Sequence, residues 1–418
     1  MTLLRAAHRV LRNQDWITGD TAFRMVRAMA IGLGLSIAVI FVTAHDGVDH
    51  NGIQLGGDFV TYWAAAHLAW TGHPTAPYDL ATITALEHAS VPLPDGAILP
   101  FFYPPPWLLL ILPLAWMRYM VAWFAFCFVT AVPLIFFVWK VLPEARMRMA
   151  IFGFPIWSVV GLTGQNGFFS GACYAAFAVL LDTRPFWAGV AVGFLVCKPQ
   201  LAVGAGVALL AARRWPAAAG AAVSGGALVL GSLALFGAGA WQAFFQHVGA
   251  AEQTLTSSLA FLFNVVSVTS LARLLGAPHS LAFVLQAVAA MVSLGALAWI
   301  AWRRPGGYYE AALAALATLL TDPFTNSYDL PMSGVALCVL LVLGAKRGFL
   351  PWDKTILIAG YVLPLVAPAI ARFTFVQIGP FVMVALFWAI ARRVPGISAQ
   401  TESVVATPYL TDQPAAAA

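Results

Sequence analysis

Apolar residues fill long runs of this chain, and short polar segments that hold most of the charged residues separate the runs. A helix needs about 20 apolar residues to cross a bilayer, and several runs reach that length. Others contain only 13 to 15 residues, which is tolerated at membrane depth where a segment lines a cavity. The pattern predicts an all-α polytopic membrane protein of about 12 transmembrane helices. The predicted helices are Met25–Ala44, Tyr119–Leu142, Met149–Leu162, Gly167–Leu181, Pro185–Cys197, Pro199–Ala212, Trp215–Leu235, Ser280–Trp302, Tyr308–Leu320, Leu330–Gly344, Thr355–Ala371 and Phe373–Ala391.

The composition excludes a soluble enzyme that merely carries a membrane anchor. Hydrophobic residues make up 61% of the chain and charged residues only 9%, whereas soluble domains contain about 25% charged residues. No segment is long and polar enough to form a separate soluble domain, so we expect one membrane domain over residues 1–394. Neither the cysteines nor the histidines show metal-ligand spacing. We therefore predict no metal, no cofactor and no nucleic-acid partner.

The basic residues predict the orientation of the chain, because Lys and Arg beside membrane helices stay in the cytoplasm. With both termini inside, 18 of the 22 Lys and Arg are cytoplasmic, and only Arg118, Lys198, Arg273 and Arg372 lie outside or within the membrane. The region before the first run is too long for a cleavable signal peptide, so we expect the run to be retained as a helix.

This orientation places two segments outside. Residues 45–118 contain six acidic residues and a single basic one, at position 118. Within them, Pro104–Met117 is predicted to lie along the membrane surface, because counting it as a span would move several arginines outside. Residues 237–278 form the second external excursion, although part of that segment is apolar enough to span. The tail, residues 395–418, is polar and is predicted to be disordered and cytoplasmic.

Asp58 is the most informative residue of the first external loop, and two interpretations of it stay open. It follows Gly56 and Gly57 and starts a helical stretch, so it is a good candidate for a helix N-cap. Tyr62 and Trp63 follow one turn later. A carboxylate beside such an aromatic wall can instead act as a general base on a hydroxyl nucleophile.

Other polar residues near the predicted outer surface could bind a sugar or a phosphate. Tyr103 enters the proline-started surface helix. Gln165 and Asn166 lie between two glycines at an external turn and suit sugar hydroxyls, although a purely structural turn is the alternative. Lys198 lies where one short helix ends and another begins, with no acidic neighbour in sequence. A lysine suits phosphate binding as a compact point charge, but it can also merely snorkel to the surface.

The third external turn, residues 321–329, contains two carboxylates. Asp329 is placed to cap the next helix, whereas Asp322 has no such simple explanation. Asn326 and Tyr328 lie between them and complete the set of candidate sugar- or acceptor-binding residues.

Taken in order, these motifs resemble glycosyltransferase family 87, whose members are membrane enzymes of the GT-C type. The motifs are the string GGDFxxYWAAA, a Tyr-Asp pair, FxYPP, GQN, a short helix ending in Lys-Pro, and YDL, and the resemblance covers about residues 20 to 390. It implies that Asp58 is the catalytic base and that the family's Tyr-Asp pair maps onto Tyr328 and Asp329. Family members often carry a His just before that pair, where this chain reads Phe324–Ser327.

The resemblance also implies the reaction and its location. The donor would be a polyprenyl-phosphate sugar, with mannose the expected hexose, and the acceptor a lipid or glycan on the external face of a bacterial inner membrane. The departing phosphate needs cations, and Lys198, Arg118 and Arg372 are the ones predicted on that side. The alternative function is a transporter or a flippase for lipid-linked sugars. Transporters usually place their charged groups at the bilayer midplane, whereas these gather in external turns.

Overall fold

The computed structural model describes residues 2–50, 52, 54–94 and 96–394. Asp95, one of the acidic residues of the first loop, and the predicted tail at 395–418 lie outside the described residues. The described residues form α-helices, short 3-10 helices and connecting turns, and none of them belongs to a β-strand longer than an isolated bridge. The all-α prediction is therefore confirmed.

The N-terminal part runs from a short amphipathic helix through the first long apolar helix into the loop that contains Asp58. Short 3-10 helices follow at Ala76–Tyr78 and Leu112–Trp116. The α-helices of this part are α1 (Thr2–Asn13), α2 (Gly19–Thr43), α3 (Phe59–Trp70), α4 (Leu80–Ser90), α5 (Pro105–Ile111) and α6 (Tyr119–Val141).

The middle part contains many short helices. Its 3-10 helices are Phe194–Cys197 and Pro199–Ala202. Its α-helices are α7 (Ala145–Arg148), α8 (Ala150–Gly153), α9 (Ile156–Thr163), α10 (Gly167–Leu180), α11 (Pro185–Gly193), α12 (Val203–Ala211), α13 (Trp215–Ser257), α14 (Leu259–Asn264) and α15 (Val268–Leu274).

The C-terminal part returns to longer helices. One 3-10 helix, Ser327–Met332, leads into α18. The α-helices are α16 (His279–Trp302), α17 (Gly307–Thr321), α18 (Ser333–Arg347), α19 (Asp353–Thr374) and α20 (Gly379–Ala391).

Six helical segments in the described part are long and apolar enough to cross a membrane, which agrees with a multi-pass membrane protein. Most of the other predicted spans are present as shorter helices, so the structure does not confirm the predicted count of about 12 transmembrane helices. The six long segments are Gly19–Thr43, Tyr119–Val141, Trp215–His247, His279–Trp302, Ser327–Arg347 and Asp353–Thr374.

Several predicted helices have different bounds in the structure. The predicted helix Phe373–Ala391 begins only at Gly379, because α19 continues to Thr374 and ends at Phe375, whose φ is 59°. The predicted helix Met149–Leu162 is split into α8 and α9 at Pro155, because a proline has no N–H to donate to the preceding turn. The predicted surface helix Pro104–Met117 tightens into a 3-10 helix around Pro113. The predicted helix Trp215–Leu235 continues to Ser257 as α13, through an interruption at Gly237, whose φ is 74°.

The core is centred on α17, in which every residue from Ala311 to Ala317 is fully buried. Small residues let neighbouring helices approach it closely, as is usual inside membranes. At Gly204 of α12, a Cβ atom would lie 2.3 Å from the backbone oxygen of Ala314. A second core of aromatic side chains joins α3, α5 and α6, with Phe59, Trp107 and Trp123 almost completely buried. This second core positions the loop that contains Asp58.

Candidate active site

Asp58 is held at a fixed turn that only glycine allows. Gly56 has a φ of +67°, and a Cβ atom there would lie 2.9 Å from the Tyr119 hydroxyl and 3.0 Å from the Trp123 ring. The Tyr119 hydroxyl donates a hydrogen bond of 2.6 Å to the backbone oxygen of Gly56. Immediately after Asp58, the side chain of Phe59 is fully buried. The backbone on both sides of the carboxylate is therefore fixed.

The Asp58 carboxylate does not cap the helix that it precedes. Its side chain makes no hydrogen bond to the N–H groups of the first turn of α3. Instead, Gln165 Nε2 donates to Asp58 Oδ2 at 3.1 Å. Burial raises the pKa of Asp58 above its ordinary value, and the hydrogen bond from Gln165 partly opposes that rise. The cap interpretation therefore has no support in the geometry.

Two tyrosines set the orientation of Gln165. The Tyr62 and Tyr103 hydroxyls lie 2.6 and 3.1 Å from Gln165 Oε1, and 2.7 Å from each other. The Gln165 amide oxygen accepts from the tyrosine hydroxyls, whereas its amide nitrogen can only donate. This network therefore turns the Gln165 NH₂ group toward the Asp58 carboxylate, which accepts from it. Residues from three separate segments thus position one carboxylate.

Lys198 lies opposite, between two 3-10 helices, and has an ionic partner that the sequence did not indicate. Its Nζ donates to Asp329 Oδ1 at 2.5 Å and lies 5.1 Å from the centre of the Tyr328 ring. The other oxygen, Asp329 Oδ2, accepts the backbone N–H of Asn326 at 3.0 Å. Asp329 thus lies in the first turn of the 3-10 helix Ser327–Met332, whose N-cap is Asn326, rather than at the N-cap of the next helix as predicted. It also neutralises Lys198.

The two halves of the cluster meet beside Gly167. A Cβ atom at Gly167 would lie only 1.8 Å from the backbone oxygen of Tyr328, so the turn with Gln165 and the turn with Asp329 touch. Burial raises the pKa of Tyr103 to about 12, and the Lys198 ammonium opposes that rise. Tyr103 thus lies within the electrostatic reach of Lys198 as well as hydrogen-bonding to Gln165.

Among the predicted site residues, two buried side-chain atoms have no hydrogen-bond partner in the described structure, namely Asn166 Oδ1 and Asp322 Oδ2. The other Asp322 oxygen accepts the N–H of Phe324 at 2.9 Å. Burial raises the pKa of Asp322 to about 6, against the pull of Lys198. The Asn326 amide oxygen is already occupied by the Ser327 hydroxyl. Because buried polar atoms normally find partners, Asn166 and Asp322 are open to hydroxyl groups of a ligand.

Three of the predicted residues do not join the cluster. Trp63 Nε1 donates to the backbone oxygen of Met117 at 2.9 Å, and its ring stacks on His67. One step along a helix turns a side chain by about 100°, which moves Trp63 away from the face of Tyr62. Arg118 and Arg372 are exposed, and neither guanidinium hydrogen-bonds to a site residue in the described part of the chain.

The sequence did not single out Trp107, which packs against the tyrosine pair. Its ring centre lies 5.3 Å from that of Tyr62 and 5.6 Å from that of Tyr103. Its Nε1 is buried without a partner among the described atoms. The sequence feature that could have identified Trp107 is its position three residues after the FxYP motif, one helical turn from Pro104.

Comparison with known proteins identifies the family. The model of glycosyltransferase family 87 matches residues 101–323, which is more than half of the chain. No curated protein and no solved structure matches. Tyr103, Gln165, Lys198 and Asp322 fall inside the matched segment, whereas Asp58 lies before it. The match favours an enzyme over the transporter alternative. The chain belongs to glycosyltransferase family 87.

Proposed function

We propose that this membrane glycosyltransferase moves a hexose, with mannose the first candidate, from a polyprenyl-phosphate donor to a lipid or glycan acceptor on the external face. The observation that carries the proposal is the Asp58 carboxylate, which starts a helix without capping it and is oriented by Gln165. A carboxylate that does not cap a helix, and that lies near polar atoms without hydrogen-bond partners, is suited to act as a general base.

In the proposed reaction, the acceptor oxygen forms a bond to the anomeric carbon from the face opposite the phosphate. The bond between that carbon and the phosphate oxygen breaks, and its electron pair leaves with the polyprenyl phosphate. The hydroxyl proton moves to Asp58. Asn166 and Asp322 supply unpaired acceptors for sugar hydroxyls, and Tyr328 provides a ring face beside them.

The leaving phosphate gains negative charge, and Lys198 is the cation of the cluster that can stabilise it. An ammonium has three N–H donors, so the bond to Asp329 leaves others for a phosphate oxygen. Its side chain is 12% exposed, whereas Asp329 is fully buried. The proposal therefore keeps Lys198 as the phosphate contact and assigns Asp329 to its positioning, without Arg118 or Arg372.

The test of the base is Asp58→Asn in purified protein. Asn caps a helix about as well as Asp but cannot accept the proton, so we expect transfer of radiolabelled mannose from polyprenyl-phosphate mannose to fall about 10²–10⁴-fold. Thermal stability should be unchanged.

Asp79 provides a matched control, because it starts α4 and does cap it: Asp79 Oδ1 accepts the N–H of Thr82 at 2.8 Å. Asp79→Ala should lose about 1 kcal/mol of stability and keep its transfer rate. Transfer by Asp58→Asn within a few-fold of wild type would refute the proposed base.

A further inference from the structure

A cavity lies away from the Asp58 cluster, between α2 and the helices α6, α18 and α19. Its volume is about 630 Å³. The walls are almost entirely apolar and include Phe23, Leu134, Leu341 and Ile358. Because α2, α6 and α19 are apolar and long enough to span a bilayer, we expect the cavity to face hydrocarbon rather than water.

The helix α2 lies at the edge of the bundle, and its residues from Gly19 to Met29 line the cavity. None of its residues is buried. Near its start, Val26 lies against Gly153, where a Cβ atom would be 2.7 Å from the Val26 backbone oxygen. Near its end, Phe41 stacks on Trp123 with ring centres 5.9 Å apart. The groove therefore follows the first half of α2, around the Val26 contact.

The helix α1 is fixed at the polar mouth of this groove. The backbone N–H of Trp352 donates to the backbone oxygen of Arg12 at 2.6 Å. Lys354 Nζ donates to the backbone oxygens of Gln14 and Ile17. Gln14 and Ile17 themselves line the groove, so the end of α1 and the groove form one continuous surface.

One face of α1 is basic. Arg5, His8, Arg9 and Arg12 recur at helical spacing and line a shared concave surface. The three arginines are exposed and form no ion pair with a described residue. Val10, on the same helix, is 52% exposed. An exposed basic face beside exposed apolar residues is typical of a helix that lies in the headgroup region of a membrane.

We propose that the groove and the basic face of α1 together bind an anionic phospholipid, with its headgroup on the arginines and its acyl chains in the groove. The complementary charge of the mouth selects an anionic over a zwitterionic headgroup. The site rests on the predicted cytoplasmic N-terminus, which places it in the inner leaflet. It lies near the start of α2, whereas Asp58 follows the other end of that helix, so it is separate from the proposed transfer site.

Native mass spectrometry of the full chain in detergent tests the headgroup site. We expect wild type to retain phosphatidylglycerol in preference to phosphatidylcholine with the same acyl chains. The double variant Arg9→Gln/Arg12→Gln should weaken phosphatidylglycerol binding roughly thirty-fold and abolish the preference. The control Arg184→Gln/Arg213→Gln removes two exposed arginines elsewhere and should keep the preference. Equal binding of both lipids by wild type, or a preserved preference in Arg9→Gln/Arg12→Gln, would overturn the proposal.

The groove is tested separately with Cys338→Phe, which adds a ring to its wall. We expect weaker retention of both lipids with the headgroup preference kept. Ala22→Leu, on the opposite wall, repeats the test if Cys338→Phe does not fold. Unchanged retention in a folded groove variant would remove the groove from the site. All readouts are lipid binding, so their outcome is independent of whether the proposed sugar transfer is correct.

Discussion

Gln165 is the side chain that links the tyrosine pair to Asp58, and its role can be measured as a shift in pH dependence. A general base must be ionised, so transfer should fall as the pH drops through the pKa of Asp58. Burial places that pKa above its ordinary value, and the Gln165 hydrogen bond lowers it. In Gln165→Met, the acidic limb of kcat/KM should therefore move to higher pH.

Tyr103→Phe is the matched control for that shift. It removes a hydroxyl from the same network but no direct bond to Asp58, so the acidic limb should move less. An acidic limb that stays in place in Gln165→Met would mean that Gln165 does not act on the base.

Because Lys198 and Asp329 form an ion pair, we expect substitutions of the two residues to change donor binding in opposite directions. Lys198→Ala should weaken donor binding about tenfold to hundredfold, and Lys198→Arg should restore only part of it. Asp329→Asn keeps an oxygen for the Asn326 N–H but removes the counter-charge, so donor binding should tighten. Titration with donor in the absence of acceptor measures both. Normal donor binding by Lys198→Ala would mean that the ammonium pairs with Asp329 and does not contact the donor phosphate.

At the residue scale, the sequence identified several members of the cluster but not all of their contacts. Asp58, Tyr62 and Gln165 were identifiable because local features mark them, namely a glycine pair, a one-turn spacing and a polar turn. The partner of Lys198 was not identifiable, because Asp329 lies 131 residues away. Trp63 lies outside the cluster because adjacent residues of a helix point in different directions.

Among the elements, α3 and α4 are joined by a single buried polar contact. Thr61 donates to Glu87 Oε1 at 2.8 Å, and Glu87 is fully buried. Burial raises the pKa of Glu87 from 4.5 to about 7. A carboxyl whose pKa is raised on folding stabilises the folded state at pH values below the pKa that it has in the unfolded chain. For Glu87, this contribution to the free energy of unfolding is lost as the pH rises through 7.

Glu87→Gln keeps an acceptor for Thr61 and removes the titration. Its stability should equal that of wild type near pH 4.5 and exceed it by about 3 kcal/mol at pH 8. Thermal unfolding at the two pH values measures the difference. Glu144→Gln, at an exposed position, should show none. A pH-independent difference for Glu87→Gln would mean that folding does not raise the pKa of the Glu87 carboxyl.

The predicted elements were correct where apolar runs are long, and wrong where proline or glycine interrupts them. The runs that gave α2, α6, α16 and α19 identify their helices to within a few residues at most ends. The interruption at Pro155 is visible in the sequence, but a proline can also start a helix, so its effect depends on the turn that precedes it.

For the whole molecule, the distribution of basic residues predicts which loops face outside. A cysteine at the exposed position His73→Cys should react with an impermeant thiol reagent in intact cells. A cysteine at Arg184→Cys should react only after permeabilisation. Wild type, whose own cysteines are buried or half-buried in apolar helices, gives the background. Labelling of Arg184→Cys in intact cells, and of His73→Cys only after permeabilisation, would show that the topology is the opposite of the predicted one.

The attachment of α1 to α19 has a consequence for the order of assembly. The contacts of Arg12 and Gln14 lie with Trp352 and Lys354, about 340 residues later in the chain. During synthesis, α1 leaves the ribosome long before its partners at the start of α19 exist. The helix α2 can meanwhile lie in the lipid against α6 and α8, which its apolar and wholly unburied surface allows. Closing the N-terminal side of the bundle is thus a late step, completed only when α19 has been inserted.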